Sequence, residues 1–219
     1  MHRVEFNADV SPEVSHHTGD ALLALKDIVT SINQEVGEVG LEGYFATPTA
    51  RLVHNPDADQ RFDVSEYGPV YDARNADRRS MGEHSLVLVE NDIYVPGLNY
   101  LFGLTSPLYR TSVVSTLRID QATDDTDLAS SAVRVLARHE VGHQFGLKGI
   151  FEEDAGDDPL HDGHCNEPCC TMKQVMHPGE LFDLVERQDG EEHFCGDCSE
   201  DLATIALKRV ADLNNIPTN

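Results

Sequence analysis

At 219 residues the chain is long enough to bury a core and fits one domain, or one domain in two lobes. Its formal charge of −23, from 39 acidic against 16 basic residues, repels phosphate backbones and argues against a nucleic-acid partner. No apolar run approaches the roughly 20 residues of a membrane span, and MHRVEFNADV lacks a leader-like pattern, so a cytoplasmic, monomeric protein with no membrane partner is expected.

The acidic residues are spread along the chain, and only four of the basic residues are lysines: Lys26, Lys148, Lys173 and Lys208. That balance resembles proteins of salt-loving organisms, in which high salt screens self-repulsion.

In chain order, Leu22, Leu25, Val29, Ile32 and Val36 fall at helical period and predict an amphipathic helix from about Asp20, stopped by Gly37 and Gly40. Residues 54 to 84 are polar and loop-like. SLVLVEND (85–92) is a short apolar run of the kind a buried central strand carries. A turn at Pro96-Gly97 leads to a second strand, Leu98 to Leu104, and the β-branched LYRTSVVSTLRI (108–119) forms a third. After the candidate N-caps of QATDDTD, a helix runs from Leu128 to Gly146. Regular structure then thins until a last helix at about Ser199 to Asn214, with Leu202, Ile205, Ala206, Val210 and Leu213 on its apolar stripe.

The chemistry concentrates after that long helix begins. His139-Glu140-Val141-Gly142-His143 is an H-E-x-x-H motif, which puts two imidazoles one turn apart on one helix face. Such a pair can take two corners of a zinc site, with Glu140 moving the proton of an attacking water. The bare motif also fits two surface histidines. Gly146 strengthens the catalytic reading, since a glycine at the helix end lets the chain turn back toward a metal. Two histidines leave a catalytic zinc one protein ligand short. All five cysteines lie between 165 and 198, in clusters that suit a cytosolic metal site better than a disulfide scaffold.

His164-Cys165, then Cys170, Met172 and Cys195-x-x-Cys198, complete a distinctive set. Here the sequence resembles the archaemetzincin family, zinc peptidases of the metzincin group, whose pattern is H-E-x-x-H-x-x-G-x-x-H-C-x4-C-x-M followed by C-x-x-C. The segment LVLVENDIYVPGLNYLFGL also looks like the family's stretch ahead of the active-site helix. The resemblance covers roughly residues 85 to 200.

It implies that His139, His143 and His164 hold a catalytic zinc, with Glu140 as general base. It implies a second, structural zinc on Cys165, Cys170, Cys195 and Cys198, giving two Zn2+ per chain, and a Met-turn methionine at Met172. It further implies that an edge strand, Tyr100, Leu101, Phe102, Gly103 and Leu104, pairs with extended substrate.

The sequence departs from the pattern at the third histidine. Gly149 stands where that ligand usually falls, and an acidic, turn-forming insertion, 148–163, precedes His164. His161, Glu152 and Glu153 are the other candidates for the ligand, and Cys165 with Cys169 is an alternative pair. His2, His16, His17, His54, His177 and His193 are expected to be ordinary surface residues. No tyrosine follows Tyr109, so no tyrosine near the Met-turn is expected to assist the metal or an oxyanion.

The expected fold is α+β and metzincin-like: a twisted mixed sheet with packed helices, an active-site helix and an irregular zinc-stapled C-terminal subdomain. The single catalytic domain divides at about 1–146 and 147–219. The expected function is zinc-dependent hydrolysis of peptide bonds in a peptide or protein substrate. The alternative is a non-catalytic zinc protein whose site the 148–163 insertion disables or masks.

Overall fold

A computed structural model of the chain describes residues 5–10, 16–38, 49–52, 62–63, 83–106, 110–147, 164–188 and 193–214. The elements are β1 (Glu5–Val10), α1 (Thr18–Glu38), β2 (Thr49–Leu52), β3 (Phe62–Asp63), β4 (Glu83–Val89), β5 (Ile93–Tyr94), β6 (Gly103–Ser106), β7 (Thr111–Ser115), α2 (Leu117–Asp120), α3 (Thr126–Phe145), α4 (Pro178–Arg187) and α5 (Gly196–Asn214).

Five strands form one open sheet in the order β2-β1-β4-β7-β6. All neighbours are parallel except β6, which runs antiparallel to β7 with Leu104 opposite Val113. This is the expected mixed sheet with packed helices.

The apolar run of β4 follows from its position. Leu86 and Leu88 point into the core shared with α1 and α3, while Val87 and Val89 face Ile93 and Val113 on the opposite side. A strand covered on both faces has no use for polar alternation. On α1, Ala21, Ala24, Leu25, Ile28, Val29 and Ile32 are buried, and the helix packs against α3. Leu22 is only half-buried, so the stripe is rotated from the expected one, and the helix runs on to Glu38. The side chain of Val36 lies outside the described residues.

The strand expected over Leu98–Leu104 is displaced to Gly103–Ser106. Pro96 and Gly97 do turn, with Leu98 N–H donating to Val95 O at 3.0 Å and Gly97 at φ 95°. Leu101 makes only a single bridge to Ile93, and Phe102 is buried in the main core. These apolar side chains therefore serve a recess and a core rather than a ladder. The third strand is likewise shortened to Thr111–Ser115, because Thr116 onward winds into α2.

Helix α3 begins where Asp125 caps it, accepting from the N–H groups of Asp127 and Leu128 at 3.0 and 3.1 Å. It ends at Gly146, whose φ of 88° is the left-handed conformation that reverses the chain. α4 was not anticipated; Pro178 opens it, and Leu181 and Leu184 bury its apolar face. α5 starts at Gly196, slightly earlier than expected. Of the polar stretch 54–84, only Phe62–Asp63 and the start of β4 are described. No helix among the described residues is long and apolar enough to cross a membrane.

Candidate active site

The last turns of α3 carry His139, Glu140 and His143, all less than a tenth exposed. The two imidazoles meet edge-on, with their Nε2 atoms 3.1 Å apart. Their outer nitrogens are held by backbone: His139 Nδ1 donates to Thr171 O at 2.8 Å and His143 Nδ1 to Leu147 O at 3.3 Å. Both rings are thereby oriented in one tautomer, with Nε2 directed inward, as metal-binding histidines usually are.

His164 enters from the other side of the cleft. Its ring centroid lies 5.2 Å from each of the other two, and one nitrogen from each ring falls within 4.8 Å of the others. The insertion 148–163, with His161, Glu152 and Glu153, lies outside the described residues. Burial, together with the neighbouring histidines, holds the His139 ring far below its ordinary titration range and His143 at about 4. Both are thus neutral imidazoles near pH 7, the form that binds metal.

Met172 is fully buried, with its sulfur packed against Gly142 of α3. Gly142 makes that approach feasible, because a Cβ there would sit 2.5 Å from Met172 Sδ. The turn that carries Met172 is closed by Cys165 N–H donating to Met172 O at 2.8 Å. One short segment therefore positions His164, Cys165, Thr171 and Met172 together.

Cys165, Cys170, Cys195 and Cys198 form a second group, with all four sulfurs within 4.8 Å and Cys165 Sγ 3.6 Å from Cys195 Sγ. The edge of a tetrahedral Zn–S4 site is about 3.8 Å, from Zn–S bonds of about 2.3 Å. The donors fit such a cation. Burial raises the Cys170 thiol to about 11 and Cys198 higher still, so four thiolates need a positive charge among them. Cys169 faces outward and stands apart from this group.

Glu140 is surrounded by polar groups that the motif alone does not reveal. Thr105 Oγ1 donates to Glu140 Oε2 at 2.7 Å, and Ser112 Oγ donates to the Glu140 carbonyl at 3.0 Å. Gln144 Nε2 donates to Ser112 Oγ at 2.7 Å and to Ser85 O at 2.8 Å, while its Oε1 accepts from His84 Nδ1 at 2.8 Å. A polar thread thus runs through the core from His84 to the Glu140 carboxylate. Burial raises that carboxyl to about 7, with the Thr105 hydroxyl pulling the other way. Gly103 is also part of the arrangement, since a Cβ there would collide with the carboxylate. The only sequence hint of these residues was their density of small polar types in β6 and β7.

The cleft measures about 330 Å3. The three histidines and Glu140 line one part of it, and the rest is mostly apolar, from Leu98, Tyr100, Leu101, Leu136 and Val175, with Thr105 and Gln174 as polar members. Gly103 and Leu104 belong to β6, at the edge of the sheet as described, whereas Tyr100, Leu101 and Phe102 precede it. A tyrosine does reach the Met-turn region, from the earlier chain: Tyr100 Oη donates to Met176 O at 2.6 Å.

Two of the expected surface histidines are not on the surface. His17 is 2% exposed, with Nδ1 3.0 Å from Asp20 and Nε2 3.1 Å from Asp120. His193 is partly buried near Asp27, 3.8 Å away. Asp20 is local to His17, but Asp120, its other partner, and Asp27, near His193, are distant in sequence, which is why the local composition misled. His16 and His177 are exposed, while His2 and His54 lie outside the described residues.

No family model matches the chain. It is 30% identical over 121 residues to the archaemetzincin of Pyrobaculum aerophilum, an overlap covering 55% of this chain and 61% of that one. It is 28% identical over 135 residues to that of Natronomonas pharaonis, covering 58% and 65%. With the archaemetzincin of Methanopyrus kandleri it shares 32% over 134 residues, covering 60% and 63%. The chain thus spans a little under two thirds of the length of these curated relatives.

The crystal structure of the M. kandleri archaemetzincin matches with a TM-score of 0.55 at 25% identity, over 94% of this chain and 97% of that one. A zinc-dependent peptidase from Methanocorpusculum labreanum shares the fold at a TM-score of 0.59 and 18% identity, over 90% and 99%. Relatives and fold agree with the resemblance carried by the motifs: the chain is similar in sequence to curated archaemetzincins and shares their fold.

Proposed function

We propose that the chain is a zinc-dependent metallopeptidase, with a catalytic zinc on His139, His143 and His164 and a structural zinc on the four clustered cysteines. The observation that carries this reading is the convergence of three imidazole nitrogens within 4.8 Å, beside the buried carboxylate of Glu140 on the same helix. When bound, zinc supplies Lewis acidity, which polarises a scissile carbonyl and acidifies water.

The chain's own groups do the rest. Thr171 O and Leu147 O hold the ring orientations of His139 and His143. Glu140, raised by burial to about 7, accepts a proton from the attacking water at its carboxylate and returns it to the departing amine nitrogen. Thr105 fixes one carboxylate oxygen, Oε2, and so holds the orientation of the carboxylate. Extended peptide adds to the sheet along β6, which puts its backbone in register with the histidines. The division into lobes at about residue 146 belongs to this reading, with α3 on one side and the segment of His164 to Met176 on the other.

The test is metal content and turnover together. The proposal expects two zincs per chain and hydrolysis of some member of a broad peptide library. Glu140→Gln should keep both metals and lose hydrolysis. A Glu140→Gln protein that cleaves as fast as wild type would overturn the role of the base. Two tightly held zincs with no cleavage at low or high salt would instead favour a non-catalytic zinc protein.

A further inference from the structure

Tyr100 does more than line the cleft. Its hydroxyl donates a short bond, 2.6 Å, to the main-chain carbonyl of Met176, four residues past Met172 and also part of the cleft lining. The bond joins two segments that are 76 residues apart in the chain and that both line the cavity.

Both ends of this link are anchored. At the Tyr100 end, the guanidinium of Arg118 stacks 3.7 Å from the ring centroid, and Phe102 meets the ring edge-on at 5.6 Å. Arg118 is itself fixed by a two-pronged bond to Asp92, with Nε to Oδ1 at 2.8 Å and Nη2 to Oδ2 at 2.9 Å. At the other end, Met176 N–H donates to Glu180 Oε2 at 2.7 Å, which ties that segment to the start of α4. A lone hydrogen bond near solvent contributes little. Held from both sides, this one behaves as a strut of fixed length between the two walls.

We propose that the Tyr100–Met176 strut sets the width of the apolar recess beside the three histidines, making Tyr100 a specificity-determining residue that limits the bulk of the side chain admitted. This rests on the peptidase reading given above. The recess is lined by aliphatic groups such as Leu98, Leu101, Leu136 and Val175, so it selects an apolar side chain by shape rather than by charge. With both walls tied, the recess cannot widen to admit a bulkier group without breaking the strut.

The experiment uses zinc-loaded full chain and peptides in which each residue flanking the scissile bond is varied in turn through alanine, leucine, phenylalanine and 4-biphenylalanine. Wild type should cleave the leucine and phenylalanine peptides at least tenfold better, in kcat/KM, than the biphenylalanine peptide at one flanking position. Tyr100→Ala should raise the biphenylalanine-to-leucine ratio at least tenfold at that position. Tyr100→Phe, which keeps the ring and loses the hydroxyl, should raise it less, and so should Arg118→Met.

The same peptides, fluorescently labelled, are also measured by anisotropy for binding to Glu140→Gln protein with and without each Tyr100 change. The preference should appear there independently of turnover. A ratio that stays at the wild-type value in Tyr100→Phe and Tyr100→Ala, in both cleavage and binding, overturns the proposal. So does a uniform loss across all peptides, which is what a purely structural tyrosine would give. Zinc-loaded wild type that cleaves none of the peptides would reject the peptidase reading and leave the binding preference to judge the strut.

Discussion

His139 Nδ1 donates to the carbonyl of Thr171 at 2.8 Å, and Thr171 sits between Cys170 and Met172. One backbone group thus connects the helix that carries the H-E-x-x-H motif to the turn that carries the cysteine cluster. Cys165, directly after His164, closes the same turn through its bond to Met172 O.

This linkage makes the two metal groups unequal partners. Cys198→Ser should lose the cysteine-bound zinc and weaken zinc at the histidines as well, by about 10–100-fold, as loss of an orienting shell does. His164→Ala should remove one zinc and leave the other. Zinc stoichiometry after dialysis against graded chelator reads both. If Cys198→Ser retains the histidine-bound metal as tightly as wild type, the two sites are independent.

Gly103→Ala should damage catalysis while leaving metal in place. Its Cβ would lie 2.7 Å from Glu140 Cγ and Cδ, and buried backbone of the sheet cannot yield as a flexible side-chain tip would. The carboxylate must move, and misplacement of a reacting group by an ångström can cost about 100-fold. Steady-state kinetics with zinc analysis checks this. A kcat/KM within twofold of wild type would show that Glu140 tolerates displacement.

Much of this was legible in the sequence because the signals are local. Asp125 and Gly146 mark the ends of α3, and the unbroken apolar run of β4 announces a strand covered on both faces. The residues of the two candidate metal groups could be named from the family resemblance that their motifs carry. What could not be read depends on contacts across the chain. Leu98 to Phe102 are apolar for a recess and a core, so they mimicked a strand. His17 is buried because Asp120, 103 residues away, comes to meet it. α4 went unseen because its short stripe, Leu181 and Leu184, falls in a stretch dominated by cysteine motifs.

His17 gives a pH-dependent clamp between α1 and α2. Burial alone would lower its pKa, but the bonds to Asp20 and Asp120 outweigh it and raise the group above 6.5. Arg134 also reaches Asp20, at 3.2 Å, and His16 packs against the ring. A raised pKa in the folded state means that the charged clamp stabilises fully below about pH 6.5 and is lost as pH climbs through the raised value. His17→Gln should therefore lower Tm more at pH 6 than at pH 8.5. An equal loss at both values would mean that the clamp does not titrate.

The charge of −23 is a second condition-dependent term. Self-repulsion among spread carboxylates destabilises the compact state, and salt shortens its range from about 10 Å at 0.1 M to about 3 Å at 1 M. Tm should rise steadily with KCl across that range. Melting curves at fixed pH and zinc measure it, and a flat or falling Tm would show that the surface charge is already compensated.

On the proposed peptidase reading, Thr105 should tune Glu140 without holding the metal. Its hydroxyl donates to Glu140 Oε2 and is the group that lowers the carboxyl from where burial would leave it. Thr105→Val is close in shape but removes the donor, so Glu140 holds its proton more tightly and its pKa rises. Activity requires the carboxylate, so the acid limb of the kcat/KM profile should move to higher pH. Loss of a hydrogen bond to a charged group, about 1.5–3 kcal/mol, corresponds to roughly one to two pH units. Zinc content should stay at the wild-type value, because no metal ligand is touched. If the limb keeps its position while the whole profile drops, Thr105 supports the fold around Glu140 and does not set its proton affinity.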